Sequence, residues 1–169
     1  SSTLEANTTD DNTAIGYNSL AVNTSGTRNT AVGSLTLDAN IIGNDNTAMG
    51  YNVLTVATGS QNTAYGSLAL DSMTSAGDCT AIGYNSLTAN TAAEITAIGS
   101  LSLDANTTGT QNTAVGYNTL GTNIIGTDNT AIGYNTLALS TGNQNTAMGS
   151  LALDTNSSGA DNTAVGFNS

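Results

Sequence analysis

The sequence predicts an all-β chain, a parallel β-solenoid (β-roll or β-helix) of about ten coils of 16–17 residues. Three observations predict it. The tetrapeptide Thr-Ala-(Ile/Val/Met/Tyr)-Gly recurs with Thr at 13, 30, 47, 63, 80, 96, 113, 130, 146 and 163, so every spacing is 16 or 17 residues. A Leu follows each Thr by seven positions from Leu20 to Leu153, and Leu4 falls in the same register. A polar Asn-, Thr- and Gly-rich stretch then precedes the next copy. A repeat this short cannot bury a face alone and must stack on its neighbours.

Positions are counted from the Thr of each repeat, position zero. Residues minus one to plus two, Asn-Thr-Ala-Ile in the first copy, read as a strand stopped by the Gly at plus three. Residues around the Leu, as in Ser34-Leu35-Thr36-Leu37, alternate with period two and predict a second strand per coil. A stretch such as Asn23-Thr24-Ser25-Gly26 turns the chain back, as Asn and Gly do where positive φ is needed. The recurrent Gly and Asn-rich turns, with an apolar spacing that fits no helical face, argue against helix.

Strand neighbours point to opposite faces, yet plus one and plus two are both apolar. Ala at plus one never varies, as expected in a thin interior. The plus-two column runs Ile15, Val32, Met49, Tyr65, Ile82, Ile98, Val115, Ile132, Met148, Val165. Two buried faces follow: Ala inside the coil, plus two against another chain. The alternative places plus two inside and Ala outside. The expected lateral assembly face is Ile15, Val32, Met49, Ile82, Ile98, Val115, Ile132, Met148 and Val165.

Coils come in two kinds. One carries an aromatic residue at plus four, Tyr17, Tyr51, Tyr84, Tyr117, Tyr134 and Phe167; the other carries Ser-Leu-x-Leu-Asp, ending at Asp38, Asp71, Asp104 and Asp154. Five coils make an 83-residue superrepeat, and Asn40-Ile41-Ile42-Gly43 returns as Asn123-Ile124-Ile125-Gly126. Residues 1–169 thus read as one array, with superrepeats 1–83 and 84–166 and a three-residue overlap. No cap, signal peptide or apolar spanning run is evident. The expectation is an array that continues in a longer polypeptide or stacks end to end; both give a fibre.

Composition narrows the partners. Pro, His and Trp are absent, Arg28 is the sole basic residue and the net charge is −11. Such a surface repels nucleic acid and anionic membranes and keeps a rod soluble. The expected partners are copies of the chain itself, with no nucleic acid and no membrane insertion.

Several motifs suggest chemistry and yield a simpler reading. Asp or Glu at minus two (Asp11, Asp45, Asp78, Glu94, Asp128, Asp161) is interrupted by Gln61, Gln111, Gln144 and Arg28. That breaks a calcium column, so no metal site is expected. Asn at minus one is expected to form an amide ladder between coils. Without His no triad exists, and no enzyme activity or cofactor is expected. Cys79 replaces a minus-one Asn and reads as an inert small residue. Asn7, Asn23, Asn106 and Asn156 begin Asn-x-Ser/Thr sequons at one phase, plus ten. A shared turn implies exposure, so they are candidate glycosylation sites, although plain turn residues explain them too. The Thr column suggests an ice-binding array, although Thr-x-Thr is missing and an apolar column flanks it.

At Asn12-Thr13-Ala14-Ile15-Gly16 and its copies the chain resembles the head repeats of trimeric autotransporter adhesins. The longer Asn112-Thr113-Ala114-Val115-Gly116-Tyr117-Asn118-Thr119-Leu120 resembles repeats of bacteriophage tail-fibre proteins. The resemblance covers the whole chain. It implies a β-roll, usually three chains around one axis, displayed outside a cell or virion. The chain departs from adhesin heads in its longer period and extra Leu segment, and it lacks stalk, anchor and tip domains. The expected function is a stiff spacer in an extracellular fibre or filament, with an adhesin or receptor-binding roll and an ice-binding array as alternatives. A receptor face would break the repeat with an odd aromatic or basic cluster, and none occurs.

Overall fold

The computed structural model describes residues 3–4, 7–56 and 58–169. Each Thr-Ala-X triplet is a three-residue strand: β1 Thr13–Ile15, β2 Thr30–Val32, β3 Thr47–Met49, β4 Thr63–Tyr65, β5 Thr80–Ile82, β6 Thr96–Ile98, β7 Thr113–Val115, β8 Thr130–Ile132, β9 Thr146–Met148 and β10 Thr163–Val165. They pair in chain order as one ten-stranded sheet. Every pair is parallel and in register, as in Thr30↔Thr47, Ala31↔Ala48 and Val32↔Met49. The described residues contain no helix. The chain is an all-β solenoid.

Stacking continues beyond the strands. The Gly33 amide donates to the Ile15 carbonyl at 2.7 Å, and Leu35 to Tyr17 at 2.8 Å. Leu37 donates to Val53 at 2.9 Å, Ala39 to Thr55 at 2.8 Å and Asp45 to Thr27 at 3.1 Å. Backbone donors at several points round the coil, outside the strands as well as in them, are therefore satisfied by a neighbouring coil rather than by water.

The Leu segment differs from the expected second strand. Its residues still bond between coils, but the backbone bends at plus five and plus seven, as at Leu35 (φ 55°) and Leu37 (φ 51°). Position minus two is also left-handed, as at Asp45 (φ 58°). Together with Gly at plus three, these corners close a coil in 16–17 residues. A left-handed Leu costs on the order of 1–2 kcal/mol. Burying its side chain returns about 1.5–3 kcal/mol, and the plus-seven leucines are fully buried from Leu20 to Leu137. Burial therefore wins at plus seven. At plus five, Asn18, Asn52, Asn85, Asn118 and Asn135 tolerate the corner because a short amide does.

The interior is thin. Ala31, Ala48, Ala64, Ala81, Ala97, Ala114, Ala131 and Ala147 are completely buried and pack with the leucines. Gly at plus three is required on two counts. Gly33 has φ 134°, and a Cβ there would run into the Gly50 carbonyl of the next coil. Replacing Ala81 or Ala131 with Leu should overpack the coil and destabilise it by about 1–3 kcal/mol. Thermal unfolding followed by circular dichroism measures this, and an unchanged melting temperature would show that the Ala pocket has room to spare.

Candidate assembly face

The strands sort their residues cleanly. Ala at plus one points in, and plus two points out: Ile15 is 61% exposed, Met49 43% and Val165 69%. Ile82, Ile98 and Met148 are exposed as well, while Val32, Tyr65, Val115 and Ile132 are half-buried. The first expected face, Ala inside, is present. The plus-two column lies on the outer surface of the single chain.

Two outward columns, zero and plus two, lie on the strands, and the exposed minus-two and plus-four columns flank them at the corners on either side. The inward plus-one column separates zero from plus two. All ten minus-two residues are exposed. Arg28 pairs with Asp45 at 2.6 Å, which holds the Asp45 carboxyl below its usual range. The threonines at zero are half-buried or exposed. Other threonines spend their hydroxyls on neighbouring coils, as Thr24 does on the Ile41 carbonyl at 2.9 Å. The position-zero hydroxyls make no hydrogen bond within the chain among the described residues. At plus four Tyr17, Tyr51, Tyr84, Tyr117, Tyr134 and Phe167 are exposed. Tyr117 and Tyr134, on successive coils, stack at 5.4 Å between ring centres. This aromatic column extends the apolar face; its position one step beyond plus two and Gly was the signal in the sequence. Exposed Ile41, Ile42, Ile124 and Ile125 form a separate pair of patches on the polar turn.

Behind the face runs the expected amide ladder. The Asn46 amide donates to Asn29 Oδ1 at 3.1 Å, and Asn62 to Asn46 at 3.0 Å. Asn129 and Asn145 repeat the pattern at 3.2 and 3.1 Å. Each Oδ1 also takes the next backbone N–H, as Asn46 N does on Asn29 at 3.0 Å. The ladder breaks at Cys79 and Ile95, which are buried among Met73, Ala76 and Ala92. Burial pushes the Cys79 thiol up to about 11.

The sequon column corrects an expectation. Its shared turn implied exposure, but Asn23 and Asn106 are completely buried, and Asn7 and Asn156 are partly so. The reason is an inward ring: Asn23 Oδ1 accepts from Gly26 N at 3.1 Å while its Nδ2 donates to Gly26 O at 2.8 Å. The same amides stack as a second ladder, with Asn40 on Asn23 and Asn123 on Asn106, each at 3.1 Å. In the folded coil the Nδ2 atoms of Asn23 and Asn106 are spent and enclosed, so neither side chain can carry a glycan there.

Elsewhere the chemistry is sparse. Desolvation raises the Asp38 and Asp104 carboxyls. Among the described residues no three His, Cys, Asp or Glu side chains gather to hold a metal. Among the described residues no helix is long and apolar enough to cross a membrane. No protein-family model matches the chain, and neither a curated protein nor a solved structure matches it.

Two outcomes test the interior. Asn129→Ala deprives Asn145 N and Gly142 O of their partner, at about 1–3 kcal/mol for each orphaned group. The exposed neighbour substitution Asp128→Gln should stay within about 0.5 kcal/mol; urea denaturation compares the two. Cys79 should resist a thiol reagent at pH 8, where the folded thiol is protonated and enclosed, and react at once in denaturant. Rapid labelling without denaturant would place it outside the core.

Proposed function

We propose that this chain is a structural segment of an extracellular fibre or filament, a stiff self-associating spacer rather than a catalyst. One observation carries the reading: a stack of in-register coils presents exposed apolar residues along its length. Two inward amide ladders and backbone bonds around every corner favour stiffness. The plus-two and plus-four columns favour self-association, because soluble monomers avoid long exposed apolar stripes. A net charge of −11 disfavours nucleic acid and anionic lipid as partners. The sole site for a trypsin-like protease, Arg28, is held by Asp45, which suits exposure outside a cell or virion. The resemblance to tail-fibre and adhesin repeats points the same way.

A second reading has one observation in its favour. The ten threonine hydroxyls at position zero lie in register on successive strands with no hydrogen-bond partner among the described residues, as an ice-binding face needs. The adjoining column varies from Val to Tyr, which spoils flatness, so the fibre reading is preferred.

Electron microscopy should show rods or filaments, and light scattering a mass above one chain. Ile82→Asp and Ile132→Asp should abolish association while leaving the β circular dichroism spectrum intact. A monodisperse wild-type monomer at high concentration would refute the self-association.

A further inference from the structure

Two columns at opposite edges of the face vary together. Where plus four is aromatic, minus two is Asp in five coils of six: Asp11 with Tyr17, Asp45 with Tyr51, Asp78 with Tyr84, Asp128 with Tyr134 and Asp161 with Phe167. The sixth pairs Gln111 with Tyr117. Where plus four is Ser, minus two is Arg28, Gln61, Glu94 or Gln144, and never Asp. Within one chain the two positions do not meet. The three-residue strand, with a left-handed corner at minus two and the Gly corner at plus three, separates them. No tyrosine hydroxyl has a hydrogen-bond partner among the described residues, and apart from Asp45 the minus-two carboxylates have none either.

We infer that a second copy of this chain packs on this face, with the rods parallel and in register, so that the minus-two edge of each copy meets the plus-four edge of the other. This rests on the self-association proposed above. The symmetry follows from the columns. A two-fold axis parallel to the rod and passing over the Ala column exchanges minus two with plus four and zero with plus two. The hydroxyls of Tyr17, Tyr51, Tyr84 and Tyr134 then each donate to the Asp of the same coil in the partner, Tyr117 meets Gln111, and Phe167 packs its ring edge beside Asp161. Each bulky plus-two side chain lies against a Thr, large against small, including Tyr65 against Thr63 of the other copy.

Two further observations select this occupant. A contact that repeats once per coil can be matched along its whole length only by a partner of the same axial period, and a second copy has it by construction. Many weak contacts held in one rigid array add strongly. Charge selects the direction. Antiparallel rods in full overlap would lay Asp11 on Asp161, Asp45 on Asp128 and Asp78 on Glu94. Like charges so placed repel, whereas the parallel arrangement sets each acid against an aromatic or Ser edge.

The test uses nitroxide pairs between copies. In a Cys79→Ser background, Ser25→Cys, Thr108→Cys and Ser158→Cys place labels at one exposed phase of three coils. Parallel, in-register copies give the same inter-label distance at all three. Antiparallel copies give axial separations of about 43 Å at Ser25 and about 5 Å at Thr108, at 4.8 Å per coil. That result would overturn the arrangement and leave self-association standing, whereas a monomer would overturn both. A monomer that adsorbs to ice crystals would assign the face to a crystal lattice instead. The residue pairing is tested on the dissociation constant with Asp78→Gln and Tyr84→Ser, both residues that the other kind of coil carries. The two effects should be non-additive by about threefold or more, and Asp78→Gln with Tyr51→Ser should be additive. Additivity in the same-coil pair would overturn the pairing.

Discussion

In a parallel stack each side chain lies about 4.8 Å from its equivalent in the coils above and below. Every column must therefore hold residues that tolerate their own neighbours, and the rest of the structure follows from that. Asn suits a buried polar column because one amide carries both donor and acceptor, so identical side chains satisfy one another. Buried Asp or Lys columns would set like charges at contact distance, and none occurs. Where acids do stack, at minus two, they are exposed and interrupted by Gln and Arg28. The absence of Pro fits the same constraint, since backbone N–H groups at strands and corners alike donate to acceptors on a neighbouring coil.

Stacking also makes left-handed corners workable. A bent residue in an isolated loop loses a backbone partner as well as steric comfort. Here Leu37 bends at φ 51° and still donates to Val53 at 2.9 Å. The corner thus costs only its conformational energy, and the buried Leu side chain offsets that. The same bond pattern in every coil makes the cross-section nearly constant along the rod, which is what a spacer needs.

The period, the parallel stack, the inward Ala and the minus-one amide ladder were legible in the sequence, because each is a column property visible as a repeat. The Leu segment was misread because period-two alternation of apolar residues normally marks a strand. Nothing in Ser34-Leu35-Thr36-Leu37 announces two left-handed leucines, a conformation that Leu rarely adopts. The plus-ten asparagines were misread for a related reason: Asn beside Thr, Ser and Gly signals an exposed turn. The neglected clue was their regularity. A turn free in solvent has no need to place Asn at one phase in seven coils, whereas an inward ring with the following Gly has.

That ring shows what paired variation between columns means in this array. The Gly26 carbonyl receives the amides of both Asn12 and Asn23, at 3.0 and 2.8 Å. A Cβ on Gly26 would strike the Asn23 and Asn40 amides. Wherever both amides are present the position is Gly: Gly26, Gly43, Gly126 and Gly159. Ala stands there only where one amide is missing, Ala76 beside Met73 and Ala92 after Cys79. Gly59, Gly109 and Gly142 stay Gly although each receives one amide only, so Ala is admitted, not required, where an amide is missing; the three columns constrain one another because their atoms touch. The minus-two and plus-four columns also vary together, yet lie at opposite edges of the face with no contact in the chain. In an array whose buried columns covary through contact, a covarying pair that is far apart in one copy has a physical explanation when the edges of two copies meet.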